Sequence, residues 1–205
     1  MIDLAQRHLG WAIGFADESW WSRQAQPMTH AWTDAVACLH LVEQTVAKDD
    51  PEPKALACYG LLVRGLGPPE QPTDEVWLRF VTDRPVSAIT TQFLDWGCDK
   101  LATRGKTALL LIWDNASWHR SHAVRDWIRA HNHQIKTTKQ GVRIVSCFLP
   151  TTSPWLNAIE PKWVHTKRKV LEATRLLTRQ ELTKRVSAAF GQSHEEPLDI
   201  PDNVA

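Results

Sequence analysis

Residues 108–114, Ala-Leu-Leu-Leu-Ile-Trp-Asp, decide the fold of this chain. A continuous apolar run of this length predicts a central strand covered on both faces, and it ends in the carboxylate of Asp114. A second apolar run, Trp11-Ala-Ile-Gly-Phe-Ala-Asp17, ends in the same way. Carboxylates avoid the ends of buried strands unless a cation or a hydrogen-bond network holds them. The two runs therefore predict strands that each deliver a charge to an edge of the sheet.

A third acid, Glu160, closes Ser153-Pro-Trp-Leu-Asn-Ala-Ile-Glu160 at the start of a predicted helix. Taken singly, Asp17 is explained by a turn hydrogen bond, Asp114 by a helix cap and Glu160 by the helix dipole. Three acids that converge instead favour a hard divalent cation bound through oxygen, and Mg²⁺ fits best. Magnesium held by carboxylates is typical of phosphodiester chemistry. We therefore favour the metal site for the three together.

The composition is that of one ordinary globular domain, with 205 residues, 43% hydrophobic and 23% charged. The net charge of +1 creates no strong overall field toward DNA, so a nucleic-acid surface must be a local patch. One dense basic stretch follows Glu160 on the same predicted helix and comprises Lys162, His165, Lys167, Arg168 and Lys169. Two interpretations stay open for it, contact with DNA phosphate and a solvated helix face.

The four cysteines are far apart and form no C-x-x-C pair, which is typical of buried thiols in a reducing compartment. The sequence shows neither a transmembrane span nor a signal peptide, and it therefore predicts a cytosolic protein without membrane contact. Eleven tryptophans are present. We interpret them as core packing rather than as platforms for base stacking. Those near the acids are Trp20, Trp21, Trp113, Trp118, Trp155 and Trp163.

The hydrophobic periodicity predicts strands first and then alternating helices and strands. The predicted strands are 11–17, 55–63, 76–82, 108–113 and 142–149, with a weaker one near 28–32. The predicted helices are 86–103, 119–132, 157–172 capped by Asn157, and 178–191 capped by Thr178. This order predicts a mixed sheet with helices on its faces.

Two long motifs carry a resemblance to a known family. Trp113-Asp-Asn-Ala-Ser-Trp-His119 and Leu149-Pro-Thr-Thr-Ser-Pro-Trp-Leu-Asn-Ala-Ile-Glu-Pro-Lys-Trp163 resemble the catalytic core of bacterial insertion-sequence transposases, of the mariner-like branch of the DDE superfamily. Phe15-Ala-Asp-Glu-Ser19 is similar to the first motif of that family. The resemblance implies an α/β, ribonuclease-H-like fold, a mixed five-stranded sheet flanked by helices. It implies that the catalytic residues and metal ligands are Asp17, Asp114 and Glu160.

The implied chemistry is cleavage of DNA at transposon ends and transfer of the freed strand into target DNA. It uses Mg²⁺, with Mn²⁺ as a substitute, to activate the attacking water or 3′-hydroxyl and to stabilise the leaving oxygen. A homodimer, or pairing with a full-length transposase, is the expected protein partnership. Asn115 and His119 lie beside the second acid and are expected to orient water or contact phosphate, although a purely structural role for His119 is equally open. Glu18 is either solvated or a partner of the site. His119 and His122 have the spacing of a zinc pair, but the absence of a third soft ligand argues against zinc.

The sequence departs from the family in three ways. Ala158 replaces the usual proline before the third acid, and the segment from Asp114 to Glu160 is longer than usual, which predicts an enlarged loop at 131–141. The usual N-terminal helix-turn-helix region is not found. The expectation is a catalytic domain over 1–191 and a flexible tail over 192–205. Two other functions remain as alternatives, a general ribonuclease-H-like nuclease and an inert or inhibitory transposase remnant.

Overall fold

The computed structural model describes residues 2–25, 46–66, 73–170, 172 and 174–200. Its strands are β1 Trp11–Ser22, β2 Ala55–Arg64, β3 Glu75–Phe80, β4 Ala108–Trp113 and β5 Arg143–Phe148. Its α-helices are α1 Ile2–Arg7, α2 Ser87–Thr103, α3 His122–Thr138, α4 Glu160–Val170 and α5 Arg179–Ala189. A short 3₁₀ turn, Pro154–Leu156, precedes α4. The predicted strand near 28–32 lies outside the described residues, as does Cys38.

The strands form one mixed sheet in the order β3-β2-β1-β4-β5. β1 and β2 are antiparallel, as are β2 and β3, whereas β4 is parallel to both of its neighbours, β1 and β5. The predicted mixed five-stranded sheet flanked by helices is therefore confirmed. Within the described residues, no helix is long and apolar enough to span a membrane.

The continuous apolar run of β4 serves two hydrophobic layers at once. Leu109, Leu111 and Trp113 point to the face that packs against α2 and α3, because side chains alternate along a strand. Leu110 and Ile112 point to the other face, where α4 and α5 pack. Burial of each such side chain stabilises the fold by about 2 kcal/mol. The two layers fix the positions of the helices relative to the strand that ends at Asp114.

β1 is longer than predicted, because it continues from Trp11 to Ser22. β2 pairs with it along this whole extension, whereas β4 pairs with it only as far as Phe15 opposite Ile112. Asp17 therefore lies within the strand, just beyond the level at which its parallel neighbour ends. The apolar pattern stops at Asp17, but backbone pairing with β2 does not depend on that pattern.

α3 differs most from its prediction. It begins at His122 rather than at residue 119, because the side chain of Ser121 caps it by accepting a hydrogen bond from the backbone N–H of Val124 at 3.2 Å. It ends at Thr138 and not at 132, so the enlarged loop predicted at 131–141 is wrong. The extra length is mostly helix, closed by Lys139 in the left-handed conformation (φ 60°). His119 is not on this helix, so the helical spacing of a zinc pair does not apply.

Of the two helix caps predicted in the C-terminal part, one is confirmed and the other is wrong. Thr178 caps α5 in a reciprocal arrangement with Glu181. Asn157 does not cap α4, because its side-chain amide donates to the carbonyl of Ala16 on β1 at 3.0 Å. The helix α1 was not predicted. The segment 192–200 also departs from the predicted flexible tail, since Leu198 is buried and bridges to Val81 beside β3.

The tryptophans near the acids range from buried to exposed. Trp21, Trp113 and Trp163 are buried, which confirms the core interpretation for them. Trp20 and Trp155 are exposed, so the core interpretation is wrong for these two. The cysteines that the structure describes are free thiols, and Cys58 and Cys98 are buried as predicted.

Candidate active site

The three acids line a single cavity of about 330 Å³. Phe15 packs on the α4 side of the sheet, so alternation along β1 places Asp17 on that side too. Asp114 follows β4 directly, and Glu160 is the first residue of α4. The segment 149–154, together with Asn157, forms the rest of the wall. The three predicted site acids, far apart in sequence, therefore share one cavity.

Asp17 is held by a tryptophan one helical turn beyond Glu160. The indole Nε1 of Trp163 donates to Asp17 Oδ2 at 2.8 Å. Burial raises the pKa of Asp17 to about 7, and the negative charges of Glu160 and Glu18 add to this rise. The indole hydrogen bond works in the other direction but is too weak to restore the ordinary pKa. Among the described residues no cation pairs with Asp17, so its neutral form is favoured up to about pH 7.

Gly60 makes this contact possible. It lies on β2 directly opposite Asp17 in the antiparallel register. A β-carbon at Gly60 would overlap the Trp163 ring and press on Ile159. The absence of a side chain therefore lets the indole approach the sheet closely and reach the carboxylate. No motif in the sequence indicates this role, because it arises only from strand pairing.

Asp114 is held by groups of its own connecting segment. Its Oδ1 accepts hydrogen bonds from the backbone N–H of Ala116 at 2.9 Å and from Nδ1 of His119 at 2.8 Å. The His119 hydrogen bond holds the pKa of Asp114 below its ordinary range. Asp114 is therefore ionised at neutral pH with one oxygen fixed in direction.

His119 links the two faces of the sheet. Its Nε2 lies 2.9 Å from Oε1 of the buried Glu18, and its ring stacks on Trp113 at 4.5 Å between centroids. Burial lowers the pKa of His119, but the hydrogen bonds to Asp114 and Glu18 outweigh it and raise the pKa to about 9. The ring is therefore an imidazolium that donates to both carboxylates. Of the two interpretations of Glu18, solvation is wrong and partnership with the site is correct.

Two asparagines tie the cavity wall to the sheet. The side-chain amide of Asn115 donates to the carbonyl of Leu149 at 2.6 Å, which joins the segment after β4 to the end of β5. Asn157 joins the segment before α4 to β1 through its bond to Ala16. Both residues line the acid cavity. Their amide groups therefore fix the backbone on which the second and third acids depend.

The chemistry of the donors fits a hard cation. Asp17 uses one oxygen for Trp163 and Asp114 uses one for its two donors, so each has a second oxygen without a hydrogen bond among the described residues. Burial, with a smaller contribution from Glu160 and Glu18, raises the pKa of Asp17, so a bound cation would favour its ionised form. In the part of the chain that the structure describes, no three His, Cys, Asp or Glu side chains already meet the geometry of a metal site. Direct ligation by all three acids therefore stays a prediction.

The basic stretch of α4 does not form one patch. Lys162, His165 and Lys169 line a separate cavity of about 670 Å³ near the end of α5. Lys167 is two helical turns from Glu160 on the same face. Its ammonium lies 5.7 Å from the centroid of the Trp21 ring. Arg168 is exposed. Only Lys167 of this group shares the Glu160 face of the helix.

Comparison with known proteins identifies the family. A family model described as DDE superfamily endonuclease matches residues 76–183, more than half of the chain. This chain belongs to that family. The matched region contains Asp114 and Glu160 but not Asp17, whose assignment therefore depends on the geometry above. No curated protein matches the chain.

Several solved structures share the fold. The Mos1 strand transfer complex matches with a TM-score of 0.55 and 14% identity, over 94% of this chain and 51% of that chain. The Mos1 transposase paired-end complex with left transposon end has a TM-score of 0.58 and 14% identity, over 94% and 52%. The Mos1 mariner paired-end complex with Mg gives 0.58 and 14%, over 92% and 52%. The predicted DDE family and the ribonuclease-H-like fold are confirmed, and the mariner-like branch stays a prediction. This chain spans about half the length of these relatives.

Proposed function

We propose that this chain is the catalytic domain of a DNA transposase, which cleaves phosphodiester bonds at transposon ends and joins the ends to target DNA. The observation that carries the proposal is that Asp17, Asp114 and Glu160 line one cavity. The last two belong to the long motifs and lie inside the matched family region. The proposal includes a cytosolic location and a catalytic domain that extends beyond the expected bounds 1–191, because the buried Leu198 pairs with Val81 beside β3.

We propose that the three carboxylates hold Mg²⁺, for which Mn²⁺ would substitute. Carboxylate oxygens are the ligands that Mg²⁺ prefers. When bound, Mg²⁺ supplies Lewis acidity, which activates a water or 3′-hydroxyl and stabilises the leaving oxygen. The relatives include Mos1 complexes with Mn and with Mg, which supports this choice of cations.

The side chains of the protein itself prepare the site. The His119 imidazolium keeps Asp114 ionised and fixes one of its oxygens, and Trp163 fixes one oxygen of Asp17. Such preorganisation reduces the ordering that binding would otherwise require. Lys167 is a DNA-phosphate candidate because it shares the Glu160 face of α4, although it lines a neighbouring cavity with Trp20 and Trp21. Lys162, Arg168 and Lys169 remain candidates for phosphates farther along a bound duplex.

The test is metal-dependent nicking of DNA that carries the ends of the element. We expect Asp114→Asn to abolish nicking in Mg²⁺ and in Mn²⁺, while Asp126→Asn, an exposed acid on α3 paired with Arg129, leaves it unchanged. Undiminished nicking in Asp114→Asn would refute the proposal.

A second assay separates the alternatives. If the chain joins the cleaved 3′-ends to target DNA, it is a transposase domain, and nicking without joining identifies a general nuclease. A folded chain that does neither is an inert remnant. Sedimentation with and without paired element ends tests the proposed homodimer, and mixing with a full-length relative tests the alternative pairing.

A further inference from the structure

The 3₁₀ turn before α4 exposes a large aromatic side chain. Trp155 is 74% exposed, more than any other tryptophan of the described residues. Its neighbour Leu156 is 48% exposed. Most of the Trp155 side chain therefore contributes little to packing and is open to an aromatic partner.

The turn belongs to the wall of the acid cavity. Ser153 and Pro154 come directly before Trp155, Asn157 follows two residues later, and all three line the cavity. The turn is rigid, because the backbone N–H of Asn157 donates to the carbonyl of Pro154 at 2.8 Å and its side chain is anchored to Ala16. The backbone that carries Trp155 is therefore held at the wall of the acid cavity.

We infer that Trp155 stacks on an unpaired base of the DNA strand whose phosphate enters the acid cavity. The inference rests on the proposed function and adds a nucleotide contact to it. Every base has an aromatic face, so stacking on an indole tolerates any sequence. Bases inside an intact duplex are already stacked on each other, so a nucleotide freed from its pair offers Trp155 an aromatic face that an internal base pair does not. The buried Trp113 and Trp163 have no such opportunity.

The test measures DNA binding in EDTA, so that its outcome depends neither on metal nor on cleavage. Fluorescence anisotropy would compare a blunt duplex with the same duplex carrying a short single-stranded 3′ overhang. We expect Trp155→Ala to weaken binding of the overhang duplex by roughly tenfold and leave the blunt duplex unchanged. Trp155→Phe should restore most of the difference, since it keeps an aromatic face. Leu9→Ala is the matched control, because Leu9 is 79% exposed but lines a different cavity.

Salt distinguishes stacking from charge. The loss caused by Trp155→Ala should stay constant between about 50 and 200 mM salt, whereas the affinity of all variants falls steeply over that range. Equal weakening on both duplexes, or none on either, would overturn the inference. A dimer in wild type that dissociates in Trp155→Ala, with DNA binding unchanged, would also overturn it and assign the turn to a protein contact. Absence of nicking with the stacking result intact would refute only the proposed catalysis.

Discussion

Asp17 and Asp114 line the same cavity but are held in opposite electrostatic environments. Asp114 has a charged partner, His119, and a pKa below the ordinary range. Asp17 accepts a side-chain hydrogen bond from a neutral donor, Trp163, and its pKa is raised to about 7 by burial and by neighbouring acids. Within the described part of the chain, Asp114 thus has a positively charged partner and Asp17 does not.

The difference shows which of the two aspartates destabilises the folded state. A buried carboxylate without a cation destabilises the folded state, because its neutral form is favoured there. Asp17 destabilises the folded state in this way and Asp114 does not. A bound cation should therefore stabilise the ionised form of Asp17 more than that of Asp114. The fold thus gives up stability at one aspartate to keep it ready for a ligand.

The largest effect is expected from removing the charge that compensates Asp114. His119→Gln keeps one hydrogen bond but leaves Glu18 buried without a cation, at 8% side-chain exposure. We expect a loss of about 3 kcal/mol in the free energy of unfolding, because an uncompensated buried charge is left behind. Urea denaturation at neutral pH measures it.

The control for His119→Gln also removes the negative charge of Glu18. The double variant Glu18→Gln/His119→Gln should recover part of the lost stability, because the two residues interact directly. Strictly additive losses from the two single changes would show that the charge pair does not explain the arrangement.

A smaller loss is expected when the support of Asp17 is displaced. Gly60→Ala forces Trp163 away from the sheet, and overpacking of this kind costs about 1 to 3 kcal/mol. It should also reduce nicking by about a hundredfold, since Asp17 and Glu160 move apart. Gly97→Ala on α2 is the matched control, because its β-carbon meets Leu61 only at an ordinary 3.5 Å. Normal nicking by Gly60→Ala would show that the Trp163 contact does not position the acids.

The next substitution is expected to raise the free energy of unfolding rather than lower it. Asp17→Asn removes the uncompensated charge while its amide oxygen still accepts from Trp163. We expect the metal-free protein to gain about 1 kcal/mol in the free energy of unfolding and to lose nicking. Asp114→Asn should lower the free energy of unfolding and abolish nicking, because it removes the carboxylate charge that pairs with His119. A loss of stability in both variants would remove the distinction between the two aspartates.

The sequence could predict the parts of the site that depend on local patterns. The apolar run of β4 places Asp114, and the Ser153–Glu160 motif places the third acid at a helix start, as the structure shows. Asp17 was found for the same reason, although its strand continues to Ser22. These positions follow from periodicity and from residues close in the chain.

The supporting residues could not be predicted, because they meet through long-range pairing. Gly60 and Trp163 become neighbours of Asp17 only when β2 and α4 are in place. His119 was assigned to a helix because of its spacing, yet Asp114 and Glu18 hold it in the turn before α3. In both cases, residues distant in the chain make the contacts that decide the position of the side chain, and the local sequence does not show them.

The smallest effect is a pH dependence that has opposite signs at the two aspartates. The folded pKa of Asp17 lies above its ordinary value of 3.8, so its contribution to stability is complete below pH 3.8 and is lost as the pH rises through about 7. The folded pKa of Asp114 is lowered, so its contribution is present above 3.8 and is lost as the pH falls through that folded pKa. Unfolding in EDTA should therefore show that the stability gain of Asp17→Asn over wild type is smaller by several tenths of a kcal/mol at about pH 5 than at about pH 8. The stability loss of Asp114→Asn should be similar at both values. If the gain in the free energy of unfolding of Asp17→Asn does not change with pH, the Asp17 carboxylate is already neutralised. Asp17 would then need a cation no more than Asp114 does.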